Sequence, residues 1–145
     1  MTDSTAPQPR TADRAPAALV VDDSATMRMY HRQILDGAGF TVSEASNGYE
    51  ALELALAQRF DLLVVDINMP VMDGYTLVES VRRESVDREV PVIMISTESE
   101  PADADEAYHR GADLYLVKPA DPEYLKRVAL ALASPDRPKR ARSRR

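Results

Sequence analysis

Three apolar runs in this chain each stop at a charge: Ala17–Val21 at Asp22 and Asp23, Leu62–Val65 at Asp66, and Leu114–Val117 at Lys118. Apolar runs this short, with helix-patterned segments between them, read as buried parallel strands. In an open parallel sheet the carboxyl ends of all strands lie on one edge, where ligands bind. A fold that buries these runs therefore also gathers three acids and a lysine from distant parts of the chain. One acid after a strand is more often a turn or a helix cap. Four charges at matching strand ends point to a site for a divalent cation and a phosphoryl group.

The segments between the runs carry helix signals. Ser24 is placed to cap a helix running to Asp36, closed by Gly37 and Gly39. A strand is expected over Phe40–Glu44. Asn47, with Glu50 three residues on, resembles a capping box for a helix through Arg59, with Ala51, Leu52, Ala55 and Leu56 as its core-facing stripe. After the strand Leu62–Asp66, Pro70 and Asp73-Gly74 hold a loop before a helix over Tyr75–Glu84. A strand over Val90–Ser96, with Pro91 at its start where proline is tolerated, precedes a helix from Pro101 to Arg110 that stops at Gly111. A last strand, Asp113–Val117, leads to Asp121-Pro122-Glu123, which opens a helix to Ala133.

Five βα units with nothing left over imply an α/β fold: right-handed crossovers and a doubly wound parallel sheet. The flavodoxin-like strand order 2-1-3-4-5 is expected by precedent for five such units, not from any residue here. It sets Asp22-Asp23 and Asp66 on either side of the switch point.

Composition narrows the class. A chain of 145 residues suits one domain and falls short of two. With 44% hydrophobic and 29% charged residues it matches soluble globular proteins. The absence of cysteine excludes disulfides and thiolate metal sites. No apolar run reaches the about 18 residues of a membrane helix, and Met1–Ala15 lacks the basic-then-apolar order of a secretion signal. A cytoplasmic location without membrane insertion is expected.

The net charge of −6 is unevenly spread: residues 135–145 hold six Lys/Arg against Asp136, residues 1–16 balance, and residues 17–134 carry −11. Residues 1–16 read as a disordered extension, 17–134 as the folded domain and 135–145 as a basic disordered tail.

Taken together, Val21-Asp22-Asp23-Ser24, Asp66-Ile67-Asn68-Met69-Pro70 with Met72-Asp73-Gly74, Met94-Ile95-Ser96-Thr97-Glu98, and Gly111-Ala112-Asp113 leading to Tyr115 and Lys118-Pro119 carry a resemblance. The chain resembles response-regulator receiver domains of the stand-alone, CheY-like chemotaxis type, from residue 17 to about residue 133.

The resemblance implies a phosphorylation switch. Asp66 would be the phosphoacceptor. Mg²⁺ (or Mn²⁺) would be bound directly by Asp23, Asp66 and the backbone carbonyl of Asn68, with Asp22 acting through water or an auxiliary contact. The physical need is plain, since a carboxylate attacks a phosphate dianion poorly unless the negative charge is offset. Lys118 would pair with Asp66 and then with the phosphoryl oxygens, and the Lys118–Pro119 bond is cis in the family. Ser96 would donate its hydroxyl to the phosphoryl group, and Tyr115 would report that movement to the face built by the fourth helix, fifth strand and fifth helix. That face includes Ala104, Tyr108, His109 and residues near Tyr124. Asn68 and Glu98 would tune hydrolysis toward a short-lived signal. Ala120 stands where many members have Phe, which is expected to loosen the loop into the last helix.

The expected function is a single-domain response regulator, a phosphoacceptor rather than an enzyme. It would be charged by a histidine kinase or histidine phosphotransfer protein and would act by protein–protein binding or onward phosphotransfer. Two alternatives from other classes stand beside it. A Mg²⁺-dependent phosphohydrolase with an aspartyl nucleophile would show Asp-x-Asp after its first strand, where this chain has Asp-Asp. A nucleic-acid binder acting through residues 135–145 would bind without sequence preference, because the tail has no aromatic residue for stacking. His31 and His109 are expected on helix surfaces, and Asp73 is expected to be structural.

Overall fold

The computed structural model describes residues 14–136. Most of the N-terminal extension and nearly all of the basic stretch at 135–145 lie outside the described residues. A five-stranded parallel sheet runs β2-β1-β3-β4-β5, the expected order. Its strands are β1 (Ala17–Val21), β2 (Thr41–Ala45), β3 (Leu62–Asp66), β4 (Val92–Ser96) and β5 (Leu114–Val117). The helices are α1 (Ala25–Gly37), α2 (Gly48–Ala57), α3 (Gly74–Glu84), α4 (Pro101–His109) and α5 (Pro122–Ala133). Among the described residues no helix is long and apolar enough to cross a membrane.

Because side chains alternate along a strand, each central strand supplies both faces of the sheet. Leu19, Val21, Leu63, Val65, Val92 and Met94 pack with Ala51, Ala55, Leu77, Val78 and Val81 of α2 and α3. Ala18, Val20, Leu62, Val64, Ile93 and Ile95 pack with Ile34, Leu35, Leu125, Ala129 and Ala133 of α1 and α5. The near-continuous apolar character of β1, β3 and β4 follows from burial on both sides.

Element ends depart from the sequence reading for local reasons. β2 begins one residue later than expected because the Phe40 N–H is taken by the Leu35 carbonyl at the end of α1. Pro91 has no N–H to donate, so β4 starts at Val92, although the Pro91 carbonyl accepts from Leu63 N at 2.9 Å. α2 ends at Ala57, where Gln58 turns extended. The α2 stripe is also corrected. Ala51 and Ala55 are buried with Leu52 and Leu54 at the margins, whereas Leu56 is 46% exposed. At about 100° per residue Leu56 lies about 120° from the stripe centre, while Leu54 lies closer.

Arg82 of α3 fastens one end of the sheet. Its guanidinium donates to the carbonyls of Arg88, Val90 and Gly111 at 3.0, 2.6 and 2.8 Å and pairs with Asp113 at 3.2 Å. Asp113 also accepts from Val92 N at 2.8 Å, so one ion pair joins α3, the start of β4 and the turn into β5. Gly111 makes that turn possible at φ +115. Between β3 and α3, Met72 N donates to Pro70 O at 2.7 Å across Val71, whose φ is 70. This is a γ-turn with a β-branched residue in the left-handed region, an uncommon and strained arrangement.

Arg82→Met should lower stability by about 3 kcal/mol, since three carbonyls and a half-buried carboxylate lose their donor. The loss should be read as a lower urea midpoint at unchanged slope. Val71→Gly, which has no Cβ to strain at positive φ, should raise stability by up to about 1 kcal/mol in the same measurement.

Candidate functional site

The carboxyl edge of the sheet collects the charges that the sequence placed there. Asp66 ends β3 and is 2% exposed, next to Asp22, which follows β1 and is also 2% exposed. Asp23 is exposed beside them. The chain can leave β3 sharply because residue 74 is glycine: a Cβ there would sit 2.6 Å from the Asp66 carbonyl oxygen. Asp73 caps α3 by accepting from Thr76 N at 2.9 Å, the structural role expected of it.

Lys118 follows β5, and its N–H donates to the Ser96 carbonyl at 2.9 Å. The Lys118–Pro119 peptide is cis. The Lys118 ammonium donates to Asp66 Oδ1 at 3.1 Å and to Asp22 Oδ2 at 3.2 Å. Asp22 Oδ1 accepts from Ser24 N at 2.9 Å, and Ser24 Oγ in turn caps α1 through Met27 N. One partly buried cation thus faces two buried carboxylates. Burial, reinforced by the Asp22 charge, pushes the Asp66 carboxyl up to about 6, with Lys118 only partly opposing it. Burial works against the Lys118 charge, but Asp66 and Asp22 outweigh it and raise its pKa above the ordinary lysine value.

Asp22, Asp23 and Asp66 each present an oxygen within 4.8 Å of the others. Asp66 Oδ2 and the Asp23 carboxylate accept no hydrogen bond from the described residues. Hard anionic oxygens held this close, in excess of the one ammonium among them, fit a small divalent cation.

On the other flank a continuous set of hydrogen bonds leads from Asp66 to the edge strand. Asn68 donates from its backbone N to Asp66 Oδ1 at 3.3 Å and from Nδ2 to Ser96 Oγ at 3.2 Å. Ser96 Oγ also accepts from Glu98 N at 3.1 Å, and the Glu98 carbonyl accepts from the Tyr115 hydroxyl at 2.6 Å. Tyr108 covers the β5 edge by accepting from Tyr115 N at 3.2 Å. Asp22, Asp23, Asp66, Asn68, Ser96, Glu98, Tyr115 and Lys118 therefore lie in one connected patch. Their linkage through Asn68 was not visible from spacing.

Some residues of the site were missed. His31 is not a surface residue: it is 1% exposed, beneath the acids, and burial lowers its pKa against the pull of Asp22. The signal was available, since residues 31, 34 and 35 share one helical face and Ile34 and Leu35 are core residues. His109 is exposed as expected. Arg28 donates to the Asp22 carbonyl at 2.8 Å and to Glu44 at 2.8 Å, bracing the turn that carries the acids. Nor is the turn at Ala120 loose: it is 2% exposed and tied to α1 through Tyr30 and His31.

Known proteins resemble this chain in sequence and fold. The family model described as the response regulator receiver domain matches residues 18–129. Chemotaxis protein CheY1 of Helicobacter pylori is 44% identical over 110 residues, which is 74% of this chain and 89% of that protein. The solved structure of chemotaxis response regulator CheY4 of Vibrio cholerae matches with a TM-score of 0.76 at 38% identity, covering 82% of this chain and 99% of that one. The receiver domain of sensor histidine kinase PA1611 from Pseudomonas aeruginosa, solved with a magnesium ion coordinated in its active site cleft, matches with a TM-score of 0.76 at 26% identity, covering 83% and 98%. The chain also matches transcriptional regulators, of which it spans about half the length or less, 51% and 44% in two of them.

The charge balance predicts a pH dependence for the metal-free protein. Asp66 holds its proton more tightly folded, at about 6, than unfolded, at its ordinary 3.8. Stability should therefore fall as pH rises from about 4 to about 6, and the full penalty should be present at pH 7. Asp66→Asn should stabilise the metal-free protein at pH 7, by on the order of 2 kcal/mol, with the gain vanishing near pH 4. Thermal unfolding of both proteins across pH 4–8 measures it.

Proposed function

Because the chain belongs to the response regulator receiver domain family, we propose that Asp66 accepts a phosphoryl group from a phosphohistidine on a kinase or phosphotransfer protein, and that the phosphorylated chain signals by binding another protein. The observation that carries this is the buried Asp66 carboxylate, with Lys118 Nζ 3.1 Å from one oxygen and the acids of Asp22 and Asp23 beside it.

With its pKa near 6, Asp66 is mainly ionised at neutral pH and ready to act as a nucleophile. One of its oxygens attacks phosphorus, the P–N bond of the donor breaks, and the imidazole leaves with the electron pair. Lys118 holds Asp66 before transfer and a phosphoryl oxygen after it. Asp23, Asp66 and the Asn68 backbone carbonyl would hold Mg²⁺, with Asp22 acting through water; Mn²⁺ suits the same oxygens. When bound, the cation supplies the positive charge that makes room for the phosphoryl dianion.

The Ser96 hydroxyl accepts from Asn68 and Glu98 and bonds the Tyr115 side chain, and on phosphorylation it turns its proton to a phosphoryl oxygen. Its displacement loosens the Glu98 contact that holds Tyr115, and this reshapes the face of α4, β5 and α5. Tyr108, Val117 and Tyr124 are exposed there at 45%, 45% and 38%, and they form the contact for the protein target. Asn68 and Glu98 flank the phosphoryl position and admit the water that ends the signal. The chain so described is a signalling switch that assists its own phosphorylation and dephosphorylation. It works in the cytoplasm, with residues 17–134 as the working unit between extensions at 1–16 and 135–145.

Incubation with Mg²⁺ and acetyl phosphate should yield an acid-stable, base-labile adduct on the parent protein and none on Asp66→Asn. Label that survives the substitution would overturn the assignment. The adduct on the parent should decay within minutes to an hour, and persistence for many hours would remove the tuning role of Asn68 and Glu98.

A further inference from the structure

His31 is buried, and the phosphotransfer chemistry makes no use of it. It lies on α1 about two turns from the Ser24 cap, within electrostatic reach of both Asp22 and Lys118. What it touches is the turn after Lys118. Ala120 follows Pro119 and precedes Asp121, the N-cap of α5. Its methyl group is buried but too small to fix the turn by packing. Instead α1 takes both of its backbone groups. The Ala120 N–H donates to His31 Nε2 at 3.4 Å, and the Ala120 carbonyl accepts from the Tyr30 hydroxyl at 2.9 Å.

The first of these bonds is long and weak alone. Its value lies in being half of a two-point grip. The Tyr30 and His31 rings meet edge to face with centroids 5.1 Å apart, so each restricts the other. The Met27 backbone also interacts with the His31 side chain. With Nε2 accepting from Ala120, Nδ1 carries the proton of a neutral imidazole.

We propose that Tyr30 and His31 are positioning residues for Lys118. They fix the 118–121 turn to the helix that begins directly after Asp22 and Asp23, so α1 sets the separation between the acids and the ammonium. Lys118 stands two residues before the gripped Ala120, and its long stem reaches from that turn to Asp66 and Asp22. A turn released from α1 leaves the acids in place and lets the ammonium wander. Metal binding and phosphotransfer then respond differently.

The inference rests on the receiver reading, and its test separates the two. The experiment compares parent, His31→Leu, His31→Gln and Tyr30→Phe, with three measurements on each. These are amide exchange of Ala120 without metal, the Mg²⁺ dissociation constant by NMR titration, and the phosphorylation rate with acetyl phosphate at saturating Mg²⁺. His31→Leu fills the space without an acceptor. It should lose Ala120 protection and react about tenfold more slowly while holding Mg²⁺ within about twofold of the parent. His31→Gln restores an acceptor and should recover most of the rate. Tyr30→Phe should react about threefold more slowly.

A folded His31→Leu protein that reacts at the parent rate would overturn the proposal. So would equal losses of rate and Mg²⁺ affinity that glutamine does not repair, since those mark a merely structural residue. If His31→Leu does not fold, a parent-like rate in Tyr30→Phe overturns it. A parent chain that takes no label overturns the receiver reading itself, and this proposal with it.

Discussion

Two buried carboxylates sharing one partly buried ammonium is the arrangement on which the rest of this structure depends. Asp66 and Asp22 sit at 2% exposure with Lys118 at 3.1 and 3.2 Å, which leaves a net negative charge in a region of low polarisability. A cluster built only for stability would balance its charges. This one is tuned to bind positive charge, and the fold supports that imbalance by holding the groups on three separate strand ends. Parallel β1, β3 and β5 cannot slide to relieve the repulsion without breaking register, because Val21 pairs with Val65 and Ser96 with Val117 across the ladder.

The two faces of the sheet treat the cluster differently. On the α1 and α5 face the supports are rigid: Arg28 holds the Asp22 carbonyl, Ser24 the Asp22 carboxylate, and Tyr30 and His31 the turn behind Lys118. On the other flank the contacts run through single hydrogen bonds, from Asn68 to Ser96 to Glu98 to Tyr115. Geometry for chemistry is kept where packing is dense. Response is kept where one bond can be exchanged for another.

The strand-end charges were legible in the sequence because they combine two strong local signals, an apolar run and the charge that stops it. Ser24, Asn47 and Asp121 were equally legible as caps, since capping is decided within three residues, and each accepts from the expected N–H; Asp73, read only as a turn acid, proves to be a cap as well. What failed needed information from across the fold. For His31 the face it shares with Ile34 and Leu35 pointed inward, but its partner, the turn at Ala120, lies 89 positions away and shows only in the fold. Ala120 looked like a weak point because the side chain it lacks is local, while the groups that compensate come from α1. Leu56 was misplaced by the small angular difference between two plausible helix faces, which only packing against the sheet decides.

The weakest-packed helix lies next to the readout. α4 has Ala107 as its one buried residue among those described, whereas α3 buries Leu77, Val78 and Val81 along with Gly74 and Ser80. Much of its remaining attachment comes from Arg110, which pairs with Glu79 of α3 at 3.1 Å and lies 5.0 Å over the Tyr75 ring. Surface ion pairs of this kind contribute about 1 kcal/mol or less, so α4 can shift at small cost while the core of the sheet stays intact. On the proposed switch, a charge added at Asp66 would not need to deform the sheet to be felt at the surface. It would need only to redirect the Ser96 hydroxyl, because the loop from Glu98 into α4 is bonded to Ser96 and Tyr115 through Glu98.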